Sequence, residues 1–172
     1  MTMISRRTVL IASLAAPMLH APSAWAVDAL PDARFVGFAQ AVNEFDIASG
    51  QLALARSANE NIRGYATRAI ADAQYETEAL RKSRSEAGVA YAPDGSMGPK
   101  TQNLLAQLNA LQGPAFDTAF AQAQLSVQTD AEAQYGAYSQ NGKSGPLKRF
   151  AQLALPKAQQ RLELARRLAG GR

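Results

Sequence analysis

Apolar residues recur along most of this chain at steps of three and four, the spacing that lines up one face of a helix. Phe35, Phe38, Val42, Phe45 and Leu52 form the first series, with Ser49 in the place of a missing apolar residue. They predict a helix over about 33–58, opened by Pro31-Asp32. Asp46 lies next to that seam. Ile62, Tyr65, Ala66, Ala69, Ile70, Ala73 and Leu80 form the second series, with Arg63, Arg68 and Asp72 pointing away. Asn59 is a good cap for this helix and Glu60 suits its first turn, because both meet unpaired backbone N–H groups. Its end is expected near Gly88, followed by a turn-rich, exposed stretch from Ala87 to Gly98.

Pro99 suits a first helical position, and Leu104, Leu105, Leu108 and Leu111 mark a short helix ending at Gly113. Pro114 opens a longer one striped by Phe116, Phe120, Ala123, Val127, Ala131, Tyr135 and Tyr138. Asn141-Gly142 has the composition of a hairpin turn, but its flanks lack two-residue alternation, so a helix-to-helix loop is expected. Gly145-Pro146 starts the last helix, whose seam is Leu147, Phe150, Ala154, Ala158, Ala165 and Leu168. Arg161 fills the gap in that seam, putting a full charge where an apolar residue belongs. Pro156 removes one backbone bond mid-helix and crowds the carbonyl of Gln152, which predicts a kink. Four long helices with short loops and one short helper helix predict an all-α, antiparallel four-helix bundle over residues 34–169, after a lead-in at 27–33. Alanine on the inner faces allows close helix approach and favours helix.

The first 26 residues read differently. Arg6 and Arg7 form a charged start, Val9 to Leu19 an apolar run, and Ala24-Trp25-Ala26 a small-residue cleavage site. This is the pattern of an export signal with cleavage after Ala26. Ser5-Arg6-Arg7-Thr8-Val9-Leu10 resembles a twin-arginine motif without the Lys that follows its apolar pair, so the general secretory route stays open. The run is too short to span a bilayer, and no integral membrane segment is expected after signal removal. The periplasm is the expected location, with association to the outer membrane as a variant.

Removing the signal takes Arg6 and Arg7 away, so Lys+Arg falls from 18 to 16 against 14 Asp+Glu and the net charge from +4 to +2. The remaining charges alternate along helices instead of clustering, which gives no case for nucleic acid. Arg81-Lys82-Ser83-Arg84 reads first as a solvated helix end beside the negative dipole terminus, and only second as an anion site. There is no cysteine, which excludes thiol catalysis, thiolate metal sites and disulfides, so the core must hold the roughly 145 mature residues together. The one histidine, His20, lies in the signal, which leaves no imidazole base or ligand and no Ser-His-Asp triad. Glu44 and Asp46 are two apart, as are Glu76 and Glu78, so neither pair faces one site on a helix. Tyr75, Tyr91, Tyr135 and Tyr138 suit packing at bundle ends better than a ligand pocket. No phosphate loop or dinucleotide fingerprint occurs.

Residues 35–74 (FVGFAQAVNEFDIASGQLALARSANENIRGYATRAIADAQ), 104–135 (LLAQLNALQGPAFDTAFAQAQLSVQTDAEAQY) and 147–168 (LKRFAQLALPKAQQRLELARRL) resemble a bacterial exported family. It is filed as domain of unknown function 4142 and often labelled an outer-membrane protein. Gly113 to Phe120 and the Leu155-Pro156 step carry most of the likeness. The resemblance implies a ferritin-like bundle, and in many members acids on the first helix meet a histidine from each other long helix, which suggests a metal site. Here the first acid is matched by Asp46 and the second by Ala48, while the histidine positions correspond to Ala73, Gln128 and Arg161. Ala cannot bind a metal, Gln is a poor ligand and Arg repels cations. Neither a metal nor any other cofactor is therefore expected. Instead, Arg161 is expected to replace the cation, pairing with Asp46 while Gln128 hydrogen-bonds between them; the alternative is that Arg161 snorkels to the surface.

The function expected from these readings is that of an exported, non-catalytic binding or envelope-stress-associated protein with a protein or envelope component as partner. A metal-dependent ferritin-like oxidoreductase or metal store is the second expectation, and a carrier of a small apolar ligand the third. The partner's identity and the oligomeric state are not written in the pattern.

Overall fold

The computed structural model describes residues 27–90 and 98–170. The expected signal, with Arg6, Arg7 and the cleavage position after Ala26, lies outside the described residues, as do Tyr91 and the middle of the Ala87–Gly98 stretch. Among the described residues there are five helices and no strand: α1 (Asp32–Arg56), α2 (Glu60–Glu86), α3 (Pro99–Asn109), α4 (Gly113–Asn141) and α5 (Gly145–Ala169). The boundaries fall within a few residues of those the periodicity predicts. No helix among them is long and apolar enough to cross a membrane.

The caps explain where the helices begin. Asn59 accepts a hydrogen bond from the Asn61 N–H at 2.9 Å, satisfying one of the free donors at the start of α2. Gly113 has φ of 57°, a left-handed conformation that turns the chain from α3 into α4 at little cost to glycine. Pro156 does not end α5, which runs through it as one helix. Pro156 and Gln152 are both exposed, so the carbonyl that loses its donor lies on the solvent side of the helix.

Neighbours in the bundle are α1 with α2, α2 with α5, α5 with α4, and α4 with α1, every one of them an antiparallel pair. Three-residue links join α1 to α2 and α4 to α5. The connection from α2 to α4 must instead travel the length of the bundle, and α3 forms part of it, packed against α1 and α4. One long crossover in a four-helix bundle is the ferritin-like arrangement. Arg56 clasps the end of α3: its Nη1 donates to the carbonyls of Leu108, Asn109 and Leu111 at 3.0, 2.9 and 3.0 Å. Leu108 and Asn109 lie in the last turn of α3, where carbonyls have lost their i+4 donors, and Leu111 lies just beyond it.

Aromatic packing fills both ends of the bundle and leaves its middle to other chemistry. At one end Phe35 stacks on Tyr138 at 3.7 Å between ring centroids and meets Tyr135 and Phe150 edge-on. At the other, Phe120 meets Tyr65 edge-on and Phe116 in a stacked pair. Tyr135 and Tyr138 are fully buried, so they belong to the packing at the first end, whereas Tyr75 is exposed.

Candidate functional site

Between the two aromatic ends the core turns polar. Asp46 of α1, Glu76 of α2, Gln128 of α4 and Arg161 of α5 meet at one level, one side chain from each long helix, and none is more than 1% exposed. The helical period puts them there. Arg161 lies between the buried Ala158 and Ala165 on the seam of α5, and Glu76 between the buried Ala73 and Leu80 on that of α2. The small side chains of Ala73, Ala131 and Ala158, all fully buried, leave room for long polar ones beside them.

The guanidinium of Arg161 organises this layer. Its Nη1 and Nη2 donate to Glu76 Oε1 and Oε2 at 2.9 and 3.2 Å, a two-pronged grip that planar guanidinium and carboxylate groups favour. Nε donates to Gln128 Oε1 at 3.1 Å and lies 3.4 Å from Asp46 Oδ2. Gln128 completes the link by donating from Nε2 to Asp46 Oδ1 and Oδ2 at 2.9 and 3.0 Å. Asn43, with its amide turned so that both ends are satisfied, donates to Glu76 Oε2 and accepts from the Thr77 N–H, each at 3.2 Å. One turn along, the Tyr65 hydroxyl donates to Gln124 Oε1 at 3.0 Å and Gln124 Nε2 donates to Ser49 Oγ at 2.9 Å. Ser49 Oγ in turn donates to the Phe45 carbonyl at 2.6 Å.

Arg161 therefore does not snorkel. Its pairing differs from the expected one as well: Glu76 receives the direct two-pronged bond, while Asp46 is held through Gln128 and by a longer ionic contact. Asp72 does not point away as expected either. Its carboxylate is largely buried, lies 3.8 Å from Arg161 Nη1 and pairs with Lys157 at the rim. Ile70, expected on the buried face, is only partly buried.

Burial dominates the electrostatics. It pushes the Asp46 carboxyl up to about 6, against the downward pull of Arg161 and of the Gln128 hydrogen bond. Burial also raises Glu76, again opposed by Arg161. For Arg161 itself burial pulls downward, but Asp46 and Glu76 outweigh it and hold the guanidinium protonated. Tyr65 and Tyr135 are raised well above the usual phenol value, chiefly by burial, and stay neutral.

The donor set does not fit a metal ion. A divalent cation at this level would sit against the guanidinium of Arg161, and both oxygens of Asp46 already face the amide donor of Gln128. No group of three or more His, Asp or Glu among the described residues is placed to hold one.

The family described as Domain of unknown function (DUF4142) matches residues 16–168. The chain belongs to that family. The match spans all five helices and hence every member of the buried layer. No match was found among curated proteins or among solved structures. What this DUF4142 chain carries in its core has to be read from its own residues. Asp46, Gln128 and Arg161, singled out from the sequence, converge as a group. Glu76 and Gln124 were not singled out, although Glu76 fills the gap between Ala73 and Leu80 just as Arg161 fills the gap on α5.

Proposed function

We propose that this chain is an exported, periplasmic helical-bundle protein that acts without catalysis, through contacts of its outer surface with a protein or envelope component. The observation that carries this reading is the closure of the polar layer. Arg161, Glu76, Asp46 and Gln128 are shut off from solvent and engaged with one another, so no substrate reaches a reactive group there. A guanidinium in the middle of a bundle replaces the charge that a core metal would otherwise supply. The leader pattern of residues 1–26 supports export.

Metal analysis of protein purified from the periplasmic fraction, combined with thermal melts with and without Fe2+, Mn2+ and Zn2+, tests this reading. The expected result is a mature chain beginning at Val27, with no stoichiometric metal and no rise in Tm on metal addition. Stoichiometric metal with a raised Tm would overturn it in favour of a ferritin-like oxidoreductase or metal store. A second reading, a carrier of a small apolar ligand, is favoured by a cleft of about 270 Å³ lined by Phe38, Val42, Pro99 and Val127 among others. Its volume is just below the range of roughly 300–1,000 Å³ usual for ligand sites. Mass spectrometry of an organic extract of the purified protein decides it: a co-purifying apolar compound at molar ratio supports the carrier.

A further inference from the structure

We propose that the polar layer is a proton-binding site, in which Asp46 holds one proton that neutralises the core. The charge count leads there first. Two fully buried carboxyl groups, Asp46 and Glu76, share one guanidinium, Arg161, inside a region closed to water, and the rim carboxylate of Asp72 also lies 3.8 Å from its Nη1. With both acids ionised the layer carries one uncompensated negative charge. Lys157 does not cancel it, because it is already paired with Asp72 at the rim.

None of the helices around Asp46 brings a second cation into the layer. α1 itself brings Ser49 and Asn43, α2 brings Tyr65 and Glu76 with Asp72 at the rim, α4 brings Gln124, Gln128 and Tyr135, and α5 brings Arg161 with Lys157 at the rim beside Asp72. An isolated buried charge is costly, and such a group takes up a proton instead.

The hydrogen bonds then choose between the two acids. Glu76 accepts from both terminal nitrogens of Arg161 and from Asn43, and protonating it would sacrifice the two-pronged bond. Asp46 accepts from neutral amides, chiefly that of Gln128 and more weakly that of Gln124, while Arg161 Nε spends its hydrogen on Gln128 Oε1. A protonated Asp46 gives up one of its two contacts with the Gln128 amide, at 2.9 and 3.0 Å, and still accepts through its other oxygen. The upward push of burial on Asp46, to about 6, agrees with this choice.

Linkage fixes the direction of the effect. The pKa of Asp46 lies higher in the folded chain than its ordinary 3.8, so the stability it confers is fully present below about 4 and is lost as pH rises through about 6. Over that window the unfolding constant should rise on the order of a hundredfold relative to a chain without this carboxyl.

Carboxyl 13C NMR of the full chain, labelled selectively at aspartate, tests the proposal. One aspartate should titrate with a midpoint near 6, and that signal should vanish in Asp46→Asn and persist in Asp72→Asn. If every aspartate titrates below about 4.5, inside the ordinary carboxylate range, the proposal is wrong. A midpoint near 6 that survives in Asp46→Asn overturns it equally. Should Asp46→Asn fail to fold, the wild-type signal can be assigned through its proximity to the Gln128 side-chain amide, and assignment to any other aspartate has the same consequence. Urea unfolding of folded Asp46→Asn and wild type between pH 4 and 7 gives an independent reading. The ratio of their unfolding constants should move by about the hundredfold above, and a flat ratio contradicts the assignment.

Discussion

Replacing Arg161 by methionine keeps most of the side-chain length and removes the only cation of the buried layer. Glu76 would lose donors at 2.9 and 3.2 Å, Gln128 would lose one at 3.1 Å, and Asp46 would lose its ionic contact at 3.4 Å. Removing one partner of a buried ion pair costs about 3–5 kcal/mol, because the other charge is left without compensation. Two carboxyls depend on Arg161 here, which places the expected loss at pH 7 in the upper half of that range. With a urea m-value of about 2 kcal/mol/M, the midpoint should fall by roughly 2 M.

The loss should also depend on pH in a defined direction. Without the guanidinium, burial raises both acids further, and a carboxyl raised in the folded state costs stability as pH climbs through its folded pKa. Arg161→Met should therefore be most damaging near pH 8 and least damaging near pH 4, where both carboxyls are protonated in the folded chain. Urea denaturation followed by far-UV circular dichroism at several pH values measures this directly. A cost below about 1 kcal/mol at pH 7, the range of exposed ion pairs, would refute the reasoning, and so would a cost that grows toward pH 4.

Other perturbations probe separate parts of the bundle. Gly50→Ala should destabilise by about 1–3 kcal/mol in the same assay, because a Cβ there would lie 2.8 Å from Ile70 Cγ1 and 3.3 Å from the Ala66 carbonyl oxygen, where α1 and α2 approach closely. Arg56→Met should loosen α3 locally: hydrogen exchange should speed up at Leu108 to Leu111 while the middle of α4 keeps its protection, since Arg56 ties those carbonyls to α1. Tyr135→Phe should be neutral or stabilising in urea, because the buried Tyr135 hydroxyl has no hydrogen-bond partner among the described residues; a loss above about 1 kcal/mol would mean that it has one.

Arg161 and Glu76 show how far the sequence carries and where it stops. Helix boundaries were legible because the apolar steps, Asn59 and the prolines are local signals, each acting within a turn or two. Arg161 was legible as an anomaly, since a charge in an otherwise apolar seam must either find a partner or escape to the surface. Its main partner was harder to find. Glu76 is also an anomaly on its own seam, but two positions on stands the exposed Glu78, and weighing the two as a pair that faces different sides passes over the seam from Ala73 to Leu80. The two-pronged bond to Glu76 and the indirect hold on Asp46 are facts of three-dimensional register. They depend on how far α2 and α5 slide past each other, which no one-dimensional spacing fixes. Ser49 and Gln124 have the same character: each interrupts or neighbours a stripe, and only packing makes them partners.

Register also explains what a layer so costly to bury contributes. The inner faces of this bundle are rich in alanine, from Ala66, Ala69 and Ala73 on α2 to Ala151, Ala154, Ala158 and Ala165 on α5. Small, similar side chains at successive turns allow one helix to slip past another by a turn with little change in buried area. One polar side chain per long helix, all at one level, removes that freedom, because a slip of about 5.4 Å would separate Arg161 from Glu76 and Gln128 from Asp46. On this view the layer contributes uniqueness more than stability, a role established for single buried polar residues in coiled coils but not for every buried ion pair. Joint replacement by Asp46→Leu, Glu76→Met, Gln128→Leu and Arg161→Met separates the two contributions. Stability should be unchanged or higher by about 1–4 kcal/mol, since the ionic groups leave together and Asn43, which loses Glu76, can turn its amide to Thr77 Oγ1 at 3.4 Å. The amide NMR spectrum should nevertheless broaden or double as the helices sample more than one register. A variant that is both more stable and as sharply dispersed as the wild type would show that packing alone sets the register, and that the layer is kept for its charge.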